Sequence, residues 1–118
     1  MTERHSASDR PILEVNGVRL NLISREVVCD GVPVDLSPVE FNILEILMRS
    51  AGRMVSNGEL MRALVDKRTN PFEGNIDIHI QQLKHKLERG RRLIAAIEGS
   101  GYMFVAADEH GANNYRLA

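Results

Sequence analysis

The chain has one cysteine, Cys29, among 118 residues, so no intrachain disulfide can form. That usage fits a reducing compartment. Long apolar runs are missing as well. None approaches the roughly 20 residues that span a bilayer, so no membrane partner is expected. The opening Thr2-Glu3-Arg4-His5 lacks the basic-then-apolar order of a signal peptide, and a cytoplasmic location is the expectation. There is no excess of charge of either sign. The formal net charge is −1, which speaks against a chain that takes up nucleic acid over its whole surface. Internal repeats and low-complexity segments are also absent.

What is present is the material of one ordinary domain. Hydrophobic residues make up 43 % and charged residues 26 % of the chain, enough for a single core. The charge is unevenly placed. Residues 74–92 carry Lys84, Lys86, Arg89, Arg91 and Arg92 against Asp77 and Glu88, a local +3, which leaves −4 for the remainder. Steering toward phosphate depends on the local patch rather than on the total. The plainer reading is a solvated helix end, where lysines and arginines complement the dipole.

Residues 1–11 are polar and without period and are expected to be a linker. Residues 107–118 are expected to be a loose tail, which leaves 12–106 as the folded unit. Short alternating runs over 12–15, 18–22, 26–29 and 32–36 are separated by Asn16-Gly17, by Ile23-Ser24-Arg25 and by Asp30-Gly31. Asn-Gly and Asp-Gly supply the positive φ angles of two-residue hairpins, so the pattern predicts an antiparallel meander of about four strands. Pro33 predicts that the last strand lies at the edge. Ser37-Pro38-Val39-Glu40 is a capping box with proline at the first helical position, and Gly52 stops the helix it begins. Val55 and its neighbours are expected to be a connector. Ser56-Asn57-Gly58-Glu59 repeats the capping-box spacing and starts a shorter second helix. Residues 66–73 are a loop, and a third helix starts between 70 and 75 and runs to about Glu88 or Arg89. Strands over 93–97 and 102–105 close a hairpin about Glu98-Gly99-Ser100-Gly101.

The third helix organises the rest. Ile76, Ile80, Leu83 and Leu87 recur at three- and four-residue steps and form a core stripe. The opposite face mixes amides, imidazoles and amines, groups that donate to phosphates and to base edges. Asn75, Ile78 and Gln82 are the candidates for base contact. His79, Gln81, Lys84, His85 and Lys86 are the candidates for the backbone, with Arg89, Arg91 and Arg92 ranked lower. An exposed isoleucine opposite the core suits a thymine methyl or a partner, although stray surface apolar residues are common. Asp77 is expected to complement the helix dipole or to join an internal salt bridge.

Enzyme chemistry finds little support. His79 and His85 lie six residues apart, on different helix faces, with no cysteine or histidine pair nearby to make a metal site. A lone strand cysteine such as Cys29 is far more often packing than nucleophile. Gly99-Ser100-Gly101 lacks the third glycine and the strand–helix context of a dinucleotide loop. Met48, Met54, Met61 and Met103 read as core filler or surface scatter. No cofactor and no metal are expected.

Four strands, three helices and a hairpin, in that order, make an α+β winged helix-turn-helix, with the hairpin as the wing. The residues Leu36-Ser37-Pro38-Val39-Glu40-Phe41, Val55-Ser56, Leu60, Ile76-Asp77-Ile78-His79-Ile80, Leu83-Lys84-His85-Lys86-Leu87 and Gly99-Ser100-Gly101-Tyr102 resemble the winged-helix output domain of OmpR/PhoB-type response regulators. The resemblance covers about residues 12–106, and the loop 67–73 is most similar to the CpxR-like branch. It implies a third helix in the major groove of double-stranded DNA and a wing at the adjacent minor groove, with Glu98, Ser100 and Tyr102 on that wing. It also implies head-to-tail pairing on direct-repeat half-sites. The loop Thr69, Asn70, Pro71, Phe72 and Glu73 would be open to RNA polymerase or a neighbouring protomer. The receiver domain that normally precedes such a module is absent from this chain.

Departures from the family pattern matter here. Gln81 and Gln82 stand where basic residues are common, and Glu98 stands where the wing often carries arginine. A carboxylate aimed at a phosphate-lined groove is repulsive. Modest, salt-sensitive affinity is therefore expected. The alternative is a degenerate winged helix that has lost DNA and serves as a protein-interaction module. Glu98, Gln81 and Gln82 favour that alternative, while the charge asymmetry, His79, Lys84 and Lys86 favour DNA.

Overall fold

The structure, a computed structural model, describes residues 11–68 and 76–106. The expected linker, the tail, the loop 69–73, Asn75 and the start of the third helix all fall wholly or almost wholly outside these residues. Among the described residues the chain runs through strands β1 (Ile12–Val15), β2 (Val18–Asn21), β3 (Val27–Cys29) and β4 (Val32–Val34). Helix α1 (Pro38–Arg49), strand β5 (Met54–Ser56) and helices α2 (Asn57–Asp66) and α3 (Ile76–Leu87) follow, and β6 (Ile94–Ile97) and β7 (Gly101–Phe104) end it.

The first four strands form an antiparallel sheet in chain order, β1-β2-β3-β4. Its two tight turns have the expected chemistry. Asn16 and Gly17 sit at φ 51° and 82°, and Asp30 and Gly31 at 51° and 83°. Positive φ at both central residues is the turn whose twist matches the strands it joins. The register follows, with Val15 opposite Val18 and Cys29 opposite Val32. Val18, Leu20, Val27 and Cys29 are buried on one face. Strand β4, with Pro33, is at the edge as predicted. Strand β2 stops one residue earlier than expected. The Asn21 side chain accepts from the backbone N–H of Ile23 and of Ser24, and Arg25 takes φ 64°, so the chain turns just after Leu22, whose N–H still donates to Pro11 O at 2.6 Å.

Helix α1 is the centre of the molecule. Phe41, Ile43, Leu44, Leu47 and Met48 are all buried. Both capping boxes form: the side-chain oxygens of Ser37 and Ser56 accept from Glu40 N and Glu59 N at 3.1 Å, and each glutamate accepts in return from the serine N–H at 2.9 Å. Helix α3 lays Ile80, Leu83 and Leu87 against the core, with Ile76 half-buried beside them. Burying each such side chain contributes about 1.5–3 kcal/mol. The helix ends at Leu87, just short of the expected stop. The Glu88 carboxylate accepts from Leu93 N and Ile94 N at 2.7 and 2.8 Å, which folds the following turn back onto β6.

The expected connector around Val55 is in fact a strand. Residues Met54, Val55 and Ser56 pair with Met103, Tyr102 and Gly101, and the second sheet has the order β5-β7-β6. A three-residue strand has too little period to show itself. Its partner lies at the far end of the chain, so only the tertiary fold creates it. No helix among the described residues is long and apolar enough to cross a membrane.

Candidate nucleic-acid interface

The outward face of α3 is open. Ile78 is 52 % exposed, and Gln81, Gln82, His85 and Lys86 are exposed with it. Together these five line one shallow depression. His79 and Lys84 are half-buried at the margins of the face. The structure therefore brings together all the predicted contact residues of the helix except Asn75, which lies outside the described residues.

Lys86 of the helix and Tyr102 of the wing are both engaged within the fold. Lys86 Nζ lies 2.7 Å from Oε1 of Glu40, a carboxylate that is 1 % exposed in the first turn of α1. The pair ties the C-terminal half of α3 to α1 and occupies the cation. A buried carboxylate without such a partner would be strongly destabilising. The second is Tyr102 of the wing, whose hydroxyl donates to the Asp77 carboxylate in the first turn of α3. Burial, then the Asp77 hydrogen bond and charge, push the Tyr102 phenol up to about 12. Asp77 thus has a phenol as partner, and the wing is fastened to the helix beside it. Nothing in the sequence links residues 77 and 102, because their contact needs the α3 and β7 positions of the finished fold.

The hairpin turn carries Glu98, Gly99 and Ser100, all exposed. The Ser100 carbonyl accepts from Asn57 N at 3.1 Å, so the wing also leans on the start of α2. Arg91, a lower-ranked phosphate candidate, is used elsewhere. Its guanidinium donates to Asn16 Oδ1 at 2.9 Å, to Asn16 O at 2.7 Å and to Asp30 Oδ1 at 2.9 Å. Asn16 in turn donates to Val105 O at 2.9 Å, so this cluster joins the first sheet to the end of the second. Arg89 and Arg92 remain exposed.

A second buried acid orders the other side of the helix-turn-helix. Glu45 holds Lys67, just past α2, at 3.0 Å and Arg49 at 2.9 Å. Burial raises its carboxyl, but the hydrogen bonds from Lys67 and Arg49 outweigh that and hold it below the ordinary carboxylate range. Helix α1 thus pins a cation at the end of α2 and another on α3. The local sequence around Glu40 marks only a helix cap. The second role of Glu40 has no local signal.

Cys29 is 2 % exposed, and burial together with the Asp30 carboxylate pushes its thiol up, as suits packing rather than a nucleophile. Among the described residues no cluster of three or more His, Cys, Asp or Glu side chains suits a metal ion.

The family model described as "Transcriptional regulatory protein, C terminal" matches residues 31–104, a stretch that runs from β4 through the whole helix-turn-helix to the end of the wing. The chain belongs to this family. Its OmpR/PhoB-type motifs are those of transcription regulators and not of enzymes. The chain is 40 % identical over 92 residues to the transcriptional regulatory protein CutR of Streptomyces coelicolor, which covers 78 % of this chain and 42 % of that protein. It therefore spans less than half the length of that relative. Among solved structures it resembles the DNA-binding domain of CpxR from E. coli, with TM-score 0.67, 34 % identity, and 81 % and 97 % of the two chains covered. The Klebsiella pneumoniae RstA DNA-binding domain, solved with the RstA box, shares the fold at TM-score 0.67 and 24 % identity, over 80 % and 97 % of the chains.

Proposed function

We propose that this chain is the DNA-binding output domain of a two-component transcription regulator. In this reading α3 lies in the major groove of double-stranded DNA and the β6–β7 hairpin lies at the adjacent minor groove. The observation that carries it is the open, polar outer face of α3 beside a fastened hairpin, in a chain of this family. Ile78 and Gln82, with Asn75, face base edges. His79, Gln81, Lys84 and His85 face phosphates. Lys86 joins them only to the extent that Glu40 shares it.

Two copies pair head to tail on direct-repeat half-sites, and residues 69–73 meet RNA polymerase or the neighbouring copy. The module works in the cytoplasm, as residues 12–106 flanked by a linker and a tail, under a receiver supplied by sequence outside this chain.

A second reading, a protein-interaction module that has lost DNA, is favoured by the exposed Glu98 at the wing tip and by the engagement of Lys86 with Glu40. One titration separates the two. Duplex DNA is added at low salt to the isotope-labelled domain, and the perturbed backbone amides are mapped. Shifts over 75–86 that disappear as salt is raised are expected. Silence toward DNA, with tight and salt-insensitive capture of a protein, would overturn the first reading.

A further inference from the structure

The centre of the outer face of α3 is uncharged, and this narrows what the helix can read. Ile78, Gln82 and Lys86 stand one turn apart in a row, and Gln81 and His85 flank it. In the major groove guanine presents two acceptors and is read by arginine or lysine. Adenine presents an acceptor and a donor and is read by asparagine or glutamine. Thymine alone presents a methyl group.

Each cation near the row is placed away from its middle. Lys86 is held at 2.7 Å by buried Glu40. Lys84 is half-buried at the margin. Arg89 lies beyond the last turn, in the groove that Pro33 and Val34 of β4 and the following Asp35 line with His85 and Lys86. What remains at the middle is an aliphatic side chain and two carboxamides.

We infer that α3 is built to select A·T pairs: Gln82 reads the N7 and N6 edge of an adenine, and Ile78 packs on the methyl of a thymine within two base steps of it. The spacing allows this, since the four residues from Ile78 to Gln82 advance about 6 Å against the ~3.4 Å rise of the duplex. The inference rests on the DNA reading proposed above and adds the base identity to it.

The test is selection from a pool of random-sequence duplexes by the full chain at low salt, repeated with Gln82→Ala, Gln82→Arg and Ile78→Ala. All three are substitutions on the exposed face and leave the core untouched. In the native selection an adenine is expected at one position with a preference of about fivefold to a hundredfold, the range for one good bidentate contact. Gln82→Ala erases the preference at that position alone, and Gln82→Arg shifts it to guanine. Replacing the neighbouring thymine by deoxyuridine, which lacks only the methyl, weakens binding several-fold for the native chain and leaves Ile78→Ala unaffected.

A position that relaxes from guanine, or no position that relaxes in either Gln82 variant, overturns this inference while DNA binding stands. A pool that enriches no sequence at all overturns the DNA reading beneath it as well.

Discussion

The first sheet joins strands that follow one another in the chain, β1 to β4, through turns of two or a few residues. The second sheet sets β7 between β5 and β6, and its β5–β7 ladder pairs Met54 with Met103. One sheet is held by local turn chemistry, the other by a contact between distant segments. The difference lies where function lies. The local sheet is a frame, and the non-local sheet carries the wing. A frame built from independent turns tolerates a single flaw. A wing whose ladder to β5 depends on one close backbone approach does not.

That approach is at Gly101. A Cβ there would run into the Val55 carbonyl oxygen and meet Ser56 Cα at 2.8 Å, both of them backbone. Gly101→Ala is expected to cost about 3 kcal/mol, at the upper end for overpacking. The matched change in the first sheet is Gly31→Ala, where φ is +83° but no atom lies within 4 Å of the new Cβ. Only the left-handed strain applies there, about 1 kcal/mol. Urea unfolding of the two variants measures both. Equal losses would mean that the two sheets do not differ in this way.

The comparison sharpens at the two carboxylates that meet α3. Glu40 is buried beneath Lys86, whereas Asp77 is exposed and held by Tyr102. Glu40→Ala removes an ion pair and half of a capping box. The freed Lys86 side chain is 39 % exposed and its ammonium regains water, so the cost should be about 2 kcal/mol, below the 3–5 kcal/mol of a fully buried pair. The same variant releases Lys86 toward phosphate. Non-specific duplex affinity is expected to rise a few-fold while the unfolding midpoint falls. A fall in both would show that α3 loses its seat without Glu40.

The Glu45 cluster on α1 and the Tyr102 contact of the wing also fail at opposite ends of the pH scale. The Glu45 carboxyl is held below its ordinary value by Lys67 and Arg49. Its contribution is complete above the ordinary carboxylate value and is lost as pH falls through the lowered one. The Tyr102 phenol is raised, so its contribution is complete below the ordinary value near 10 and is lost as pH climbs through about 12. Glu45→Gln should flatten the acid limb of the stability profile alone. Tyr102→Phe should remove the late tyrosinate absorbance step and leave the acid limb unchanged.

What the sequence made legible divides along the same line. The hairpins at Asn16-Gly17 and Asp30-Gly31, the edge strand with Pro33, both capping boxes and the core stripe of α3 were all readable, because each rests on residues within a few positions of one another. Strand β5, the Glu40–Lys86 pair, the Asp77–Tyr102 bond and the Arg91 cluster were not, because each joins positions 25 to 75 apart that only the packed fold brings together. The interface residues were readable as a face. Which of them the fold had already engaged was not.

The smallest effect tests whether the wing approaches DNA at all. Glu98 is exposed at the hairpin turn, on the side of the molecule that the Tyr102–Asp77 bond fastens next to α3. If that turn sits in a minor groove, its carboxylate repels phosphates and an arginine would attract them. Glu98→Arg is expected to raise non-specific duplex affinity about three- to tenfold at low salt. One new phosphate contact should also steepen the logarithmic salt dependence by about 0.9. The core contacts of the hairpin are untouched, so stability should move by less than about 0.5 kcal/mol. A gain in affinity with no change in salt slope would point to general steering by net charge. No gain would mean that the hairpin stands clear of the duplex, and the frame and α3 alone would then account for whatever DNA the chain holds.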